Sequence, residues 1–182
     1  MSTSTQRKST ESGSAPRHEA RQRTLRPTTH DDGLGGTITI LAEGDHERPM
    51  IYRMCMPPGV SPPATEMHPA QREEFRVISG ALSLGRIDGQ EKILHAGETY
   101  TLDAGRFHLP ACHGTEPVVF EATLTPGLDS AKMFEGVYAA FRGHKGLGRL
   151  VQLAGVFTTH AREIRFPGPF ATFLRALAVF AR

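Results

Sequence analysis

Turn-forming residues interrupt this chain so often that no long helix fits in its middle. From about residue 35 to residue 126, Gly, Pro and Asp-Gly break the text at roughly ten-residue intervals. Thr37 to Ala42 alternates in polarity and is rich in β-branched residues, as strands are. Pro49 to Met56 alternates too and stops at Pro57-Pro58-Gly59. Glu73 to Ser79 runs into Gly80, and Ala81 to Arg86 leads to Asp88-Gly89, a hairpin signal. Glu91 to His95, Glu98 to Leu102, Phe107 to Cys112 and Pro117 to Leu124 complete the series. Short strands so spaced predict an all-β sandwich or barrel.

After Pro126-Gly127 the period changes. Ala131 to Arg142 carries Met133, Phe134, Val137, Tyr138 and Phe141 at helical spacing. Leu147 to His160 reads as a second helix. Beyond Pro167-Gly168-Pro169, the residues Phe170, Phe173, Leu174, Leu177 and Phe180 mark a third. These helices are expected to pack on the barrel, close one end of it, or support a dimer.

The start of the chain is different again. Residues 1–30 hold six Lys or Arg against two Glu, a net of +4, while the whole chain is +2. The remainder is therefore slightly acidic and shows no basic footprint for nucleic acid. Rich in Ser, Thr, Arg and Gln, the start cannot bury enough apolar surface to fold alone. Three segments are expected: a disordered basic tail over 1–34, a barrel over 35–126 and helices over 127–182. No apolar run reaches membrane length, and no secretory h-region is evident. Cys55 and Cys112 make no disulfide framework, so a reduced, cytoplasmic chain without membrane contact is expected.

The pleat of the fourth run carries chemistry. Glu73, Phe75 and Val77 share the apolar face, opposite Glu74 and Arg76. A carboxylate on a buried face is costly unless it is paired, protonated or bound to metal. Glu66 and His68, two apart, also share a face, and His108 lies on a later strand. Glu66, His68, Glu73 and His108 on neighbouring strands of a small barrel would converge on one divalent cation. Against this stands an ordinary alternative, in which Arg72, Arg76 or Arg106 pairs with Glu66 or Glu73.

These residues resemble the cupin superfamily. Its first motif reads G-x5-H-x-H-x(3,4)-E-x6-G, and here Glu66 stands at the first His, with His68, Glu73 and Gly80 in the following places. Gly59 precedes Glu66 by one residue more than that pattern. The second motif reads G-x5-P-x-G-x2-H-x3-N, and Gly97, Gly105 and His108 match it, with Asp103 for the Pro and Cys112 for the Asn. The resemblance covers about residues 36–126 and implies a double-stranded β-helix, a jelly-roll barrel, followed by helices.

Cupins usually hold a metal with three His and one Glu; this chain offers two of each. The extra carboxylate favours Fe²⁺ or Mn²⁺, with Zn²⁺ and Ni²⁺ also compatible. Three roles stay open for Glu66: ligand, general base beside a His68, Glu73 and His108 site, or lining of a pocket without metal. The inward stripes supply a candidate substrate pocket of Tyr52, Met54, Met56, Phe75, Val77, Cys112 and Phe120. The resemblance implies a metal-dependent enzyme on a small, largely apolar molecule, an oxygenase by preference. A non-redox cyclase or isomerase and a non-catalytic binder are the alternatives. Small barrels of this kind pair commonly, so a homodimer is expected.

Overall fold

The computed structural model describes residues 27–62 and 64–181. Among the described residues, nine strands precede three helices: β1 (Thr28–Asp31), β2 (Thr37–Ala42), β3 (Met50–Met56), β4 (Arg72–Ser79), β5 (Ala81–Ile87), β6 (Gln90–His95), β7 (Thr99–Leu102), β8 (Ala111–Cys112) and β9 (Val118–Thr125), then α1 (Ser130–Gly143), α2 (Gly146–Thr159) and α3 (Gly168–Ala178). The strands form one sheet in the order β1-β2-β3-β9-β4-β7 and another in the order β6-β5-β8, with every pairing antiparallel. The core is β, but three helices make the molecule more than an all-β fold.

Side-chain alternation builds the barrel interior. On β4, Glu73, Phe75 and Val77 are buried while Arg72, Glu74 and Arg76 are exposed. On β9, Val118, Phe120, Ala122 and Leu124 face the same core. Met50, Tyr52 and Met56 of β3 join them. Fully burying a side chain the size of Phe or Leu contributes about 1.5–3 kcal/mol, and this stripe supplies the main stabilisation of the sheets. The Asp88-Gly89 turn connects paired Ile87 and Gln90, with both turn residues at positive φ, as a two-residue hairpin requires.

Three expectations need correction. The tail was expected to extend to residue 34, yet Thr28–Asp31 pairs with Thr37–Ile40 as β1. This strand is mostly exposed and carries no apolar alternation, so its signal is backbone pairing alone. Residues 1–26 of that tail lie outside the described residues. The run Phe107 to Cys112 is a strand only at Ala111–Cys112, since Pro110 has no N–H to donate. Glu66, His68 and His108 likewise do not sit on regular strands. Glu66 and His108 form an isolated antiparallel bridge, in a stretch where Pro57, Pro58, Pro62 and Pro69 cannot sustain a ladder.

The helices are fastened to that bridge. Met67 exchanges two backbone hydrogen bonds of 2.9 Å with Arg165, which lies between α2 and α3. Ala131 and Tyr138 of α1 enter the barrel core. Met133, Ala154, Ile164, Phe166 and Leu174 form a second core among the helices. Buried Gln71 donates through Nε2 to the carbonyls of Pro126 and Gly127 and to Ser130 Oγ, which pins the start of α1 to the barrel. No helix among the described residues is long and apolar enough to cross a membrane.

Gly80 tests the corner between the two sheets. Its φ is +75°, and a Cβ there would lie 2.7 Å from the Pro117 carbonyl oxygen. Gly80→Ala is expected to lower stability by about 1–3 kcal/mol, read as a shifted urea midpoint with an unchanged m-value.

Candidate metal centre

The bridge between Glu66 and His108 is what brings the site together. Glu66 N donates to His108 O, and His108 N donates to Glu66 O, both at 2.8 Å. His68 follows two residues later, and the imidazole rings of His68 and His108 stand 5.6 Å apart. One ligand atom each from Glu66, His68 and His108 lies within 4.8 Å of the other two. Phe75 meets the His108 ring edge-on at 5.9 Å and limits its movement.

Glu73 stands beside this trio, on β4. Its Oε2 is 3.1 Å from His108 Nε2 and 3.4 Å from His68 Nε2. Its Oε1 accepts a hydrogen bond of 2.8 Å from the Tyr52 hydroxyl. Glu73 Oε2 and His108 Nε2 are close, yet neither makes a well-directed hydrogen bond. Donor atoms that crowd together without pairing are what a shared cation requires.

The far sides of the imidazoles determine which nitrogen is available. His68 Nδ1 lies 2.6 Å from the Glu163 carbonyl oxygen, and His108 Nδ1 lies 3.2 Å from that of Arg106. A carbonyl can only accept, so each Nδ1 carries the hydrogen. Each Nε2 then presents a lone pair to the site when the ring is neutral. Metal-ligating histidines are usually oriented by such a backbone partner. The residues therefore suit a divalent cation: two oriented imidazoles, a buried carboxylate and a second carboxylate within reach.

The ordinary alternative fails on geometry. Arg76 pairs with Glu121 at 2.5 Å, Arg106 pairs with Asp88, and Arg72 is exposed. Among the described residues, no arginine forms an ion pair with Glu66 or Glu73. Without a cation, the site is balanced by protons. Burial opposes charge on His68, but the neighbouring Glu73 carboxylate outweighs it and lifts the pKa to about 9. Burial also opposes charge on Glu73, yet the His68 and His108 imidazoles hold it far below the usual carboxylate range. Burial raises the pKa of Glu66, while both imidazoles pull it down.

Next to this cluster lies a cavity of about 330 Å³. It runs between the barrel and the helices, and Glu66 is the cluster residue on its wall. Tyr52, Met54, Met56 and Phe120 line it, as the inward stripes suggest. Phe75 and Val77 are closed into the core instead, because β4 packs fully between its neighbours there. Cys112 is also absent from the wall, its Sγ donating to the Glu116 carbonyl. The opposite wall, with Met133, Phe134, Val137 and Phe141 of α1, was not assigned to the pocket from sequence. Its signal was present as the apolar stripe of that helix, indistinguishable there from core.

Residues 52–125 match the family model described as Cupin domain. The matched stretch lies within the strand-rich part of the chain and contains both motifs. No match was found among curated proteins. Among solved structures, the chain is similar to an uncharacterized conserved protein with a double-stranded β-helix domain from Klebsiella pneumoniae, with 23% identity over 58% of this chain and 86% of that one, at a TM-score of 0.46. KdgF from Halomonas sp. is 17% identical over 57% of this chain and 92% of its own, at a TM-score of 0.47. An RmlC-like cupin from Shewanella frigidimarina is 21% identical over 56% and 85%, also at 0.47.

A cation at this site must displace the proton that His68 otherwise keeps up to about pH 9. Apparent affinity for a divalent ion should therefore rise with pH until that range and then level off. Calorimetry at neutral pH in buffers of different ionisation enthalpy should register net proton release on binding, because the carboxylates beside His68 and His108 raise both imidazoles against the cost of burial.

Proposed function

We propose that this chain is a metal-dependent enzyme, an oxygenase acting on a small and largely apolar organic molecule. The observation that carries the reading is the double membership of Glu66. Its carboxylate belongs both to the trio with His68 and His108 and to the wall of the apolar cavity. Two imidazoles and one carboxylate, the carboxylate on the cavity wall, form the ligand type used by non-haem iron oxygenases. His68 and His108 would hold the ion through Nε2, and Glu66 and Glu73 through carboxylate oxygens.

A bound divalent ion supplies Lewis-acid polarisation of a substrate oxygen and, as Fe²⁺, one-electron chemistry with O₂. The chain's own residues set the conditions. The aromatic and aliphatic wall excludes water and favours an apolar substrate body. Tyr52 holds Glu73 in place through Oε1, which leaves Oε2 for the site. Two carboxylates make Fe²⁺ the first choice and Mn²⁺ the second, ahead of Zn²⁺ or Ni²⁺.

A non-redox cyclase or isomerase is the second reading, and a specific observation favours it. Burial lifts the pKa of Glu66, which suits a proton acceptor at the cavity wall. Glu66→Gln separates the two roles. As a ligand, Glu66 makes this variant lose metal relative to wild type, by elemental analysis of parallel preparations. Unchanged metal with lost turnover would assign it as the base. His108→Ala should lose metal in either case.

The oxygenase reading has its own test. Protein loaded anaerobically with Fe²⁺ and then exposed to O₂ should consume O₂ only when a turned-over apolar substrate is present. The Zn²⁺ form should be inert. Equal turnover by the Zn²⁺ form without O₂ would replace the oxygenase with the non-redox reading.

A further inference from the structure

We infer that the substrate of this cavity carries an anionic group, a carboxylate or its equivalent, and that Arg149 receives it. The inference deepens the proposed function and rests on its assignment of the cavity as the substrate site. Among the described residues, three charged side chains line the cavity: Asp32, Glu66 and Arg149. Asp32 is occupied, because its Oδ1 accepts from the backbone N–H groups of Leu34 and Gly36 at 2.7 and 2.9 Å. Glu66 belongs to the metal cluster. Arg149 is the cation of the set.

The donors of Arg149 are only partly used. Its Nε donates to the His144 carbonyl at 3.0 Å, and one terminal nitrogen donates to the Phe141 carbonyl at 3.3 Å. These bonds tie the first turn of α2 to the end of α1. Its guanidinium carbon lies 4.8 Å from the centre of the Phe141 ring, which is itself on the cavity wall. A guanidinium has five N–H donors in a planar fork. Three are left over, and no carboxylate of the described residues forms an ion pair with Arg149. A group held over an aromatic ring, with spare donors beside an apolar cavity, is arranged to take a bidentate anion. The cavity lining then carries two different chemistries: the Glu66 carboxylate from the barrel segment and the Arg149 guanidinium from the helices. The substrate class that fits is an acid with an apolar body, its anion at Arg149 and its reacting carbon or oxygen toward Glu66.

The test uses two pairs of probes, octanoate with 1-octanol and 3-phenylpropionate with 3-phenylpropanol. Affinities are measured by calorimetry on full-length protein, both metal-loaded and stripped with chelator. In wild type, at least one acid should bind about tenfold or more tightly than its alcohol in both forms. In Arg149→Gln that ratio should fall to about one, and Arg149→Lys, which keeps the charge without the fork, should fall between. Circular dichroism and the melting temperature establish that each variant is folded; Arg149→Lys carries the test if the Gln variant is not. The inference is overturned if neither acid is preferred, if no probe binds, or if the preference survives in Arg149→Gln. A preference present only in the metal-loaded form also overturns it, since the acid would then be going to the ion. Metal content, read separately on the same samples, reports on the proposed metal centre, so the two ideas fail independently.

Discussion

A carboxylate pointing into a β-barrel must be compensated, and the compensation of Glu73 organises this molecule. The pleat of β4 leaves it no other direction, since its neighbours on that face are Phe75 and Val77. Its two oxygens are met by Tyr52 from β3 and by the imidazoles of His68 and His108. Those imidazoles are in turn oriented by carbonyls of Arg106 and Glu163. Segments from residue 52 to residue 163 are thereby drawn to one place. Breaking a buried charged pair typically costs about 3–5 kcal/mol, so the site and the core are mutually dependent. A divalent cation fits the same scheme, taking the position that protons occupy otherwise.

The helices complete what the barrel begins. Barrel strands provide one wall of the cavity, with Tyr52, Met54 and Phe120, and α1 provides the other. The α1 stripe serves two cores at once: Tyr138 enters the barrel core, Met133 the helical core, and Phe134 touches both. The Met67 to Arg165 bridge and the Glu163 carbonyl couple the helical segment directly to the candidate ligands. Displacing the helices would therefore open the cavity and release His68 together.

Much of the fold was legible in the residues because burial leaves a period in the text. The run Thr37 to Ala42 coincides with β2, and Ala131 to Arg142 lies within α1 with one residue to spare at each end. β1 was missed because an exposed edge strand of Thr, Thr, His and Asp has no apolar alternation to read. Phe75 and Val77 were assigned to the pocket because an inward stripe looks the same whether it meets another side chain or an empty volume. Cys112 was misplaced for a related reason: a two-residue strand does not carry alternation far enough to say where its side chains point.

Alternation, turn chemistry and motif spacing determined by themselves the strand series, the inward direction of Glu73 and the four residues of the candidate centre. These are local consequences of backbone geometry, which repeats every two residues in a strand and every 3.6 in a helix. Only the tertiary structure decided which of them touch. It made Glu66, His68 and His108 the tight trio, put Glu73 behind them against Tyr52, and left Glu66 on the cavity wall. It also brought Arg149 to that cavity, although 83 residues separate it from Glu66. Distances across a core depend on how whole elements pack, and no local period records them.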